Sequence, residues 1–199
     1  LRLLAGALVS ASARNDRAAR IVFSCYVDHY VRVYAVLVQS SEEASDTFKD
    51  MGYILHCWKC LNRRVVHRIR EIGDVRCEEC GETMSVGGPL WIGRLAEPSF
   101  CDAMISEAER LEMNEKRLRQ LLALVRSESD YPPTFFRIDS IGDLLSIPSY
   151  PLKDILEELG EAGYRATRTH FDPRGVRTEA PIREIRRVLL NYRAGTAKG

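Results

Sequence analysis

Four cysteines, Cys57, Cys60, Cys77 and Cys80, stand in a C-x2-C-x16-C-x2-C pattern. Each C-x2-C pair folds into a tight knuckle whose thiolates point the same way, and two knuckles complete a sulfur tetrahedron of the kind that holds zinc. Four protein ligands leave no open coordination position, so such a site is structural rather than catalytic. Gly81, directly after Cys80, supplies the permissive backbone a knuckle needs. His56 and His67 flank the ligands and read as surface or packing residues. Cys25, in an apolar run, and Cys101, at a helix start, read as buried hydrophobes. Thiols at metal spacing point to a reducing compartment rather than to a secreted disulfide framework.

Catalytic patterns do not accompany the cysteines. The 199 residues hold no convincing Ser/His/Asp arrangement, phosphate loop or G-x-G-x-x-G. Net charge is only +1, yet the charges are segmented. Residues 59–76 carry Lys59, Arg63, Arg64, Arg68, Arg70 and Arg76 against Glu71 and Asp74. Residues 139–161 set Lys153 against Asp139, Asp143, Asp154, Glu157, Glu158 and Glu161, and residues 163–193 set eight arginines against Asp172, Glu179 and Glu184. Two basic islands around an acidic helix fit a protein that grips a polyanion on one surface and is solvated on another. No apolar run of about eighteen residues and no charged-then-apolar leader occurs, so the sequence predicts a soluble cytoplasmic protein with no membrane partner. Leu1 already lies inside an apolar helical pattern, which fits the C-terminal piece of something longer.

The elements that must position these residues follow from periodicity and breakers. Leu1, Leu4, Leu8 and Ala11 recur at helical spacing before Asn15 and Asp16. IVFSCYV and VRVYAVLV, separated by Asp28-His29-Tyr30, predict a strand pair, and the polar stretch 40–50 a boundary loop. His29 and Tyr30 read as a turn residue and a packed ring. The Cys-rich module spans 51–95, with turn-forming Gly87 and Gly88 and a Trp91 that needs burial. Helices are predicted over 99–112 and 114–128, the second with Leu118, Leu121, Leu122 and Val125 on its core face. Beyond the Tyr131-Pro132-Pro133 break, Phe135 and Phe136 suit packing. Then come IGDLLSI, a helix capped at Gly163, the strand 164–171, a turn at Asp172-Pro173-Arg174-Gly175, a second strand and a closing helix. Short helix, second helix and two strands joined by a turn is the order of a winged helix. Residues 195–199 suit a frayed tail.

Five stretches, LRLLAGALVSASARNDRA, VDHYVRVY, GGPLWIG, YPPTFFRID and above all AGYRATRTHFDPRGVRTEAP, together resemble the C-terminal half of the tRNA (guanine-N2)-dimethyltransferase family. The resemblance implies an α+β chain. Residues 1–45 would be the C-terminal elements of a Rossmann-like methyltransferase sheet. Residues 46–199 would be the family's tRNA-binding domain, a zinc ribbon over 51–95 and a helical, winged-helix-like part over 96–199. It implies an enzyme that dimethylates N2 of guanine 26 in tRNA, using S-adenosyl-L-methionine beside the structural zinc. The family's Gly-rich donor loop and its Asp-Pro-Phe-Gly motif do not occur in this sequence, so no catalytic residue is named, and this piece alone is expected to be inactive. His29 and Tyr30 acquire a second reading, as the rim of a target-base pocket. A-form RNA offers side chains little beyond shape and backbone, so phosphate donors matter most. The expected donors are Arg63, Arg64 and Arg68 on the ribbon, and Arg165, Arg168, His170, Arg174 and Arg177 on the wing. The competing expectation is that such arginines pair with carboxylates of the 154–161 helix. The rival function, a zinc-ribbon/winged-helix regulator of transcription, would push that acidic helix into duplex DNA, where Asp154, Glu157, Glu158 and Glu161 repel phosphate.

Overall fold

A computed structural model describes residues 1–113 and 115–196. The architecture is α+β with three small antiparallel sheets. Helix α1 (Arg2–Ala13) leads into the hairpin β1 (Arg17–Val27) and β2 (Tyr30–Gln39), paired from Arg17↔Gln39 to Val27↔Tyr30. Helix α2 (Ser41–Thr47) and a 3-10 turn then reach a three-stranded ribbon, β3 (Met51–His56) flanked by β4 (Arg63–Val66) and β5 (Ser85–Trp91). Two antiparallel helices follow, α3 (Pro98–Arg110) and α4 (Lys116–Glu128). The last unit is β6 (Phe136–Arg137), α5 (Ile138–Leu145), α6 (Leu152–Glu161), β7 (Ala166–Thr169), β8 (Asp172–Thr178) and α7 (Ile182–Thr196), with β8 central in its sheet. No described helix is long and apolar enough to cross a membrane. The tail expected over 195–199 lies outside the described residues from 197 on.

Helix α1 buries a stripe only partly that of its leucines: Leu1 and Leu8 pack at the edge of the cluster. Ala5, Gly6, Val9 and Ser12 face inward, while Leu4 is exposed. The reason is close approach: a Cβ on Gly6 would lie 3.1 Å from the Trp91 backbone nitrogen, so only small residues let the helix lie on β5. Trp91 fills the space beside them, with its indole donating to the Arg94 carbonyl at 2.7 Å. Strand β1 is covered on both faces, by α1 on one side and by Cys101, Leu122 and Val125 of the α3–α4 pair against Phe23 and Cys25 on the other. Strand β2, outside it, leaves Tyr30, Val31, Tyr34, Val36 and Leu37 exposed.

Three local expectations are corrected. Residues 41–47 form a helix, because Ser40 accepts the Glu43 amide at 3.2 Å, Glu42 and Glu43 favour the first turn, and Ala44 is buried. Gly87 and Gly88 lie within β5 rather than in a turn, since any Cβ on Gly88 would sit 2.8 Å from the Gly52 carbonyl oxygen. Asp172-Pro173-Arg174-Gly175 opens β8, and the reversal falls on His170 and Phe171 instead. Both turn side chains are packed, Phe171 stacking on Phe135 at 5.9 Å, and this tertiary packing outweighs the local turn preference of the four residues.

The ribbon depends on Gly52. A Cβ there would lie 2.5 Å from both the Val66 carbonyl oxygen and Ile92 Cδ1. Gly52→Ala should therefore cost about 1–3 kcal/mol in chemical denaturation, since the backbone oxygen cannot yield as a flexible side chain would.

Candidate metal centre and basic surface

The ribbon carries the four cysteines on two copies of one backbone design. In the first knuckle the Leu61 amide donates to the Cys57 carbonyl at 2.8 Å and the Cys57 amide to the Asn62 carbonyl at 2.9 Å. In the second, Gly81 donates to Cys77 and Cys77 to Glu82, both at 2.8 Å. The residue after each second cysteine is left-handed, φ 63° at Leu61 and 71° at Gly81. A leucine is costly there. Its side chain packs on the core of the last unit, and Arg186 of α7 donates to the Cys60 carbonyl at 2.8 Å, so the first knuckle is docked as well as folded. Trp58, inside that knuckle, is 72% exposed but fixed, bonding to Ser85 Oγ at 3.0 Å and meeting His56 edge-on.

The four Sγ atoms lie within 4.8 Å of one another, with Cys57–Cys80 at 3.5 Å and Cys60–Cys77 at 3.4 Å. Those separations exceed the about 2.05 Å of a disulfide and bracket the about 3.8 Å edge of a tetrahedral zinc–thiolate site, so the donor set fits the ion. Burial opposes ionisation of Cys77, yet the Glu79 amide, the Cys60 thiol, the Cys80 amide and the Asn62 side chain bring it down to about 7. His56 and His67 lie outside the cluster.

The expected phosphate donors divide sharply. Arg68 and Arg165 are exposed, in ion pairs with Glu71 and Glu179, and Arg168 is exposed with a 3.5 Å contact to the Pro173 carbonyl. Arg63 turns inward over the Phe136 ring at 5.0 Å, and burial, then the Arg177 charge, lowers its pKa to about 10. Arg64, on the opposite face, donates to the Ile72 and Asp74 carbonyls at 2.7 Å. Arg174 clamps Asp139, Ser149 and the Tyr150 carbonyl.

Arg177 and His170 are corrected outright as surface donors, each side chain being 3% exposed against Glu128. The Glu128 carboxylate accepts from Arg177 Nε, Thr169 Oγ1, and the amide and Nδ1 of His170. The Tyr26 amide donates to His170 Nε2 at 3.1 Å, which leaves Nδ1 to meet the Glu128 carboxylate. None of these arginines pairs with the 154–161 helix. Their carboxylates come from Glu71, Glu128, Asp139 and Glu179.

The family model described as N2,N2-dimethylguanosine tRNA methyltransferase matches residues 1–190. The chain belongs to this family. It is 35% identical over 190 residues to the tRNA (guanine(26)-N(2))-dimethyltransferase of Methanothermobacter thermautotrophicus, covering 95% of this chain and 50% of that protein. It is 28% identical to the tRNA (guanine(26)-N(2)/guanine(27)-N(2))-dimethyltransferase of Aquifex aeolicus, covering 93% of this chain and 46% of the relative. The solved complex of Trm1 from Pyrococcus horikoshii with S-adenosyl-L-methionine superposes with a TM-score of 0.78 at 27% identity, over 94% of this chain and 48% of that one. The chain spans about half the length of the curated relatives it matches.

In this member of the dimethyltransferase family, sequence reasoning missed two residues that organise the rest. Glu128 falls three residues after Val125 on the buried face of α4, a carboxylate where the stripe predicts an apolar side chain. Arg2 interrupts an apolar helix and donates to the carbonyls of Pro133, Trp91 and Gly93 at 2.8–2.9 Å, with burial lowering its pKa to about 9. Burial would raise the Glu128 pKa, but the His170 hydrogen bond and the Arg177 charge hold it below the usual carboxylate value. The stability it contributes is thus present above the ordinary value of about 4.3 and lost as pH falls through the lower folded value. Glu128→Gln leaves Arg177 buried without a counter-charge. It should cost about 3–5 kcal/mol at neutral pH in urea denaturation and weaken the acid dependence.

Proposed function

We propose that this chain is the tRNA-gripping half of a methyltransferase that dimethylates N2 of guanine 26, with S-adenosyl-L-methionine as methyl donor. The family match across residues 1–190, in order along the chain, carries the reading. Residues 1–45 complete the methyltransferase sheet in this reading, and the exposed Val36 and Leu37 toward the far end of β2 from Tyr30 support it as a strand that expects a neighbour there. Residues 46–199 are the tRNA-binding part. Within it, 51–95 is a zinc ribbon held by Cys57, Cys60, Cys77 and Cys80. In the remainder, α5, α6 and the β7–β8 hairpin form a winged helix. Bound zinc would supply the cross-link that so small a ribbon cannot replace with buried apolar area.

The side chains divide the labour. Arg68, Arg165 and Arg168 are exposed and offer charge to the RNA backbone, whereas Arg174, Arg177 and His170 hold the wing's shape. The carboxylates of α6 turn polyanions away from that helix, which favours backbone gripping of cytoplasmic tRNA over insertion into duplex DNA. The electrophilic methyl group comes from the donor's sulfonium. Donor binding and attack by the exocyclic amine belong to the part of the enzyme that the relatives have and this chain does not span.

The natural full-length polypeptide should transfer label from S-adenosyl-L-methionine to a tRNA transcript and lose that transfer when guanine 26 is replaced by adenine. Label that persists on the altered transcript, or none on either, sinks the reading. Metal analysis should find about one zinc per chain. Cys60→Ser should release the zinc, lower Tm and weaken tRNA binding. Unchanged melting after complete chelation would remove the metal's structural role.

A further inference from the structure

A groove of about 1020 Å³ runs between the β1–β2 turn, α4 and the β7–β8 turn. Its walls combine two features. The first is aromatic: Tyr26 and Tyr30 are 40% and 44% exposed at its edge. The second is a cation not committed to a carboxylate. Arg165, Arg174 and Arg177 are each ion-paired, while Arg168 makes only its 3.5 Å contact with the Pro173 carbonyl. Two carboxylates also line it: Asp28 is paired with Arg117, and Glu115 lies in the field of the same guanidinium.

The groove is also preorganised. Tyr26 stacks on Phe171 at 6.4 Å and 8°, Phe171 on Phe135 at 5.9 Å and 8°, and the Tyr26 amide is fixed by His170. Arg32 covers one face of the Tyr30 ring at 4.6 Å. Little side-chain freedom is left to lose on binding.

We propose that this groove receives unstacked nucleotides of the RNA, a base lying against Tyr26 or Tyr30 and a phosphate against Arg168. Every nucleobase has a face to stack, so the groove would take flanking nucleotides without reading their sequence. A polypeptide segment could use the apolar side chains of α4, but would leave Arg168 unmatched. An exposed ring beside an uncommitted guanidinium favours RNA. The proposal rests on the tRNA reading above and locates its contact at the seam between the first hairpin and the wing.

The test measures tRNA affinity against salt in the natural full-length polypeptide, with Tyr30→Ala, Tyr30→Phe and Arg168→Ala. Tyr30→Ala should weaken binding about tenfold, while Tyr30→Phe, which keeps the ring, stays within about twofold. Arg168→Ala should lower affinity and reduce the salt slope by about one. A single-stranded uridine hexamer should compete with tRNA for the wild type and fail against Tyr30→Ala/Arg168→Ala. Wild-type tRNA affinity and salt slope in all three variants would overturn the groove while leaving tRNA binding intact. No tRNA binding by the wild type would overturn the groove together with the reading beneath it.

Discussion

One buried carboxylate ties the two ends of this chain together. Glu128 at the end of α4 accepts from Thr169, His170 and Arg177 of the last hairpin, and through His170 it fixes the Tyr26 amide at the end of the first. A charge so enclosed is tolerable only when its acceptor positions are filled, so the network specifies one arrangement of α4, β1 and β8. The Tyr26–Phe171–Phe135 stack and the inward turn of Arg63 both follow from where that arrangement puts the His170–Phe171 reversal. Arg2 brings α1 into the same neighbourhood by capping the carbonyls of Trp91, Gly93 and Pro133.

The cysteine cluster works on a shorter range. Its knuckles are made by hydrogen bonds four and five residues apart, and its links to the remainder include the Arg186 contact with Cys60, the Arg183–Glu79 ion pair and the packing of Leu61. The cysteine cluster and the carboxylate network are therefore separate devices, one local to the ribbon and the other joining hairpins.

That difference in range explains what the sequence revealed. The clustering of the four cysteines was legible because paired C-x2-C spacing brings thiols together. The helices, strands and Cys25 and Cys101 as core residues were legible from periodicity and apolar context. The roles of the arginines were not, since Arg177 finds Glu128 at 49 residues' separation and Arg174 finds Asp139 at 35, beyond any local pattern. Charge counts left open which faced solvent and which paired, and the helix expected to pair with them was not the one that does. The short helix α2 was legible in its Ser40–Glu43 spacing, but its polar composition pointed to a loop. In α1 the large residues drew attention although the small ones set the contact.

The two tryptophans occupy opposite environments, Trp58 72% exposed on a cysteine knuckle and Trp91 5% exposed between α1 and β5. Their emission is accordingly resolvable, a water-exposed indole beside a shielded one. A soluble quencher would extinguish the first and spare the second. The molecule thus carries its own pair of optical reporters, one on the ribbon's cysteine end and one on its junction with the helix.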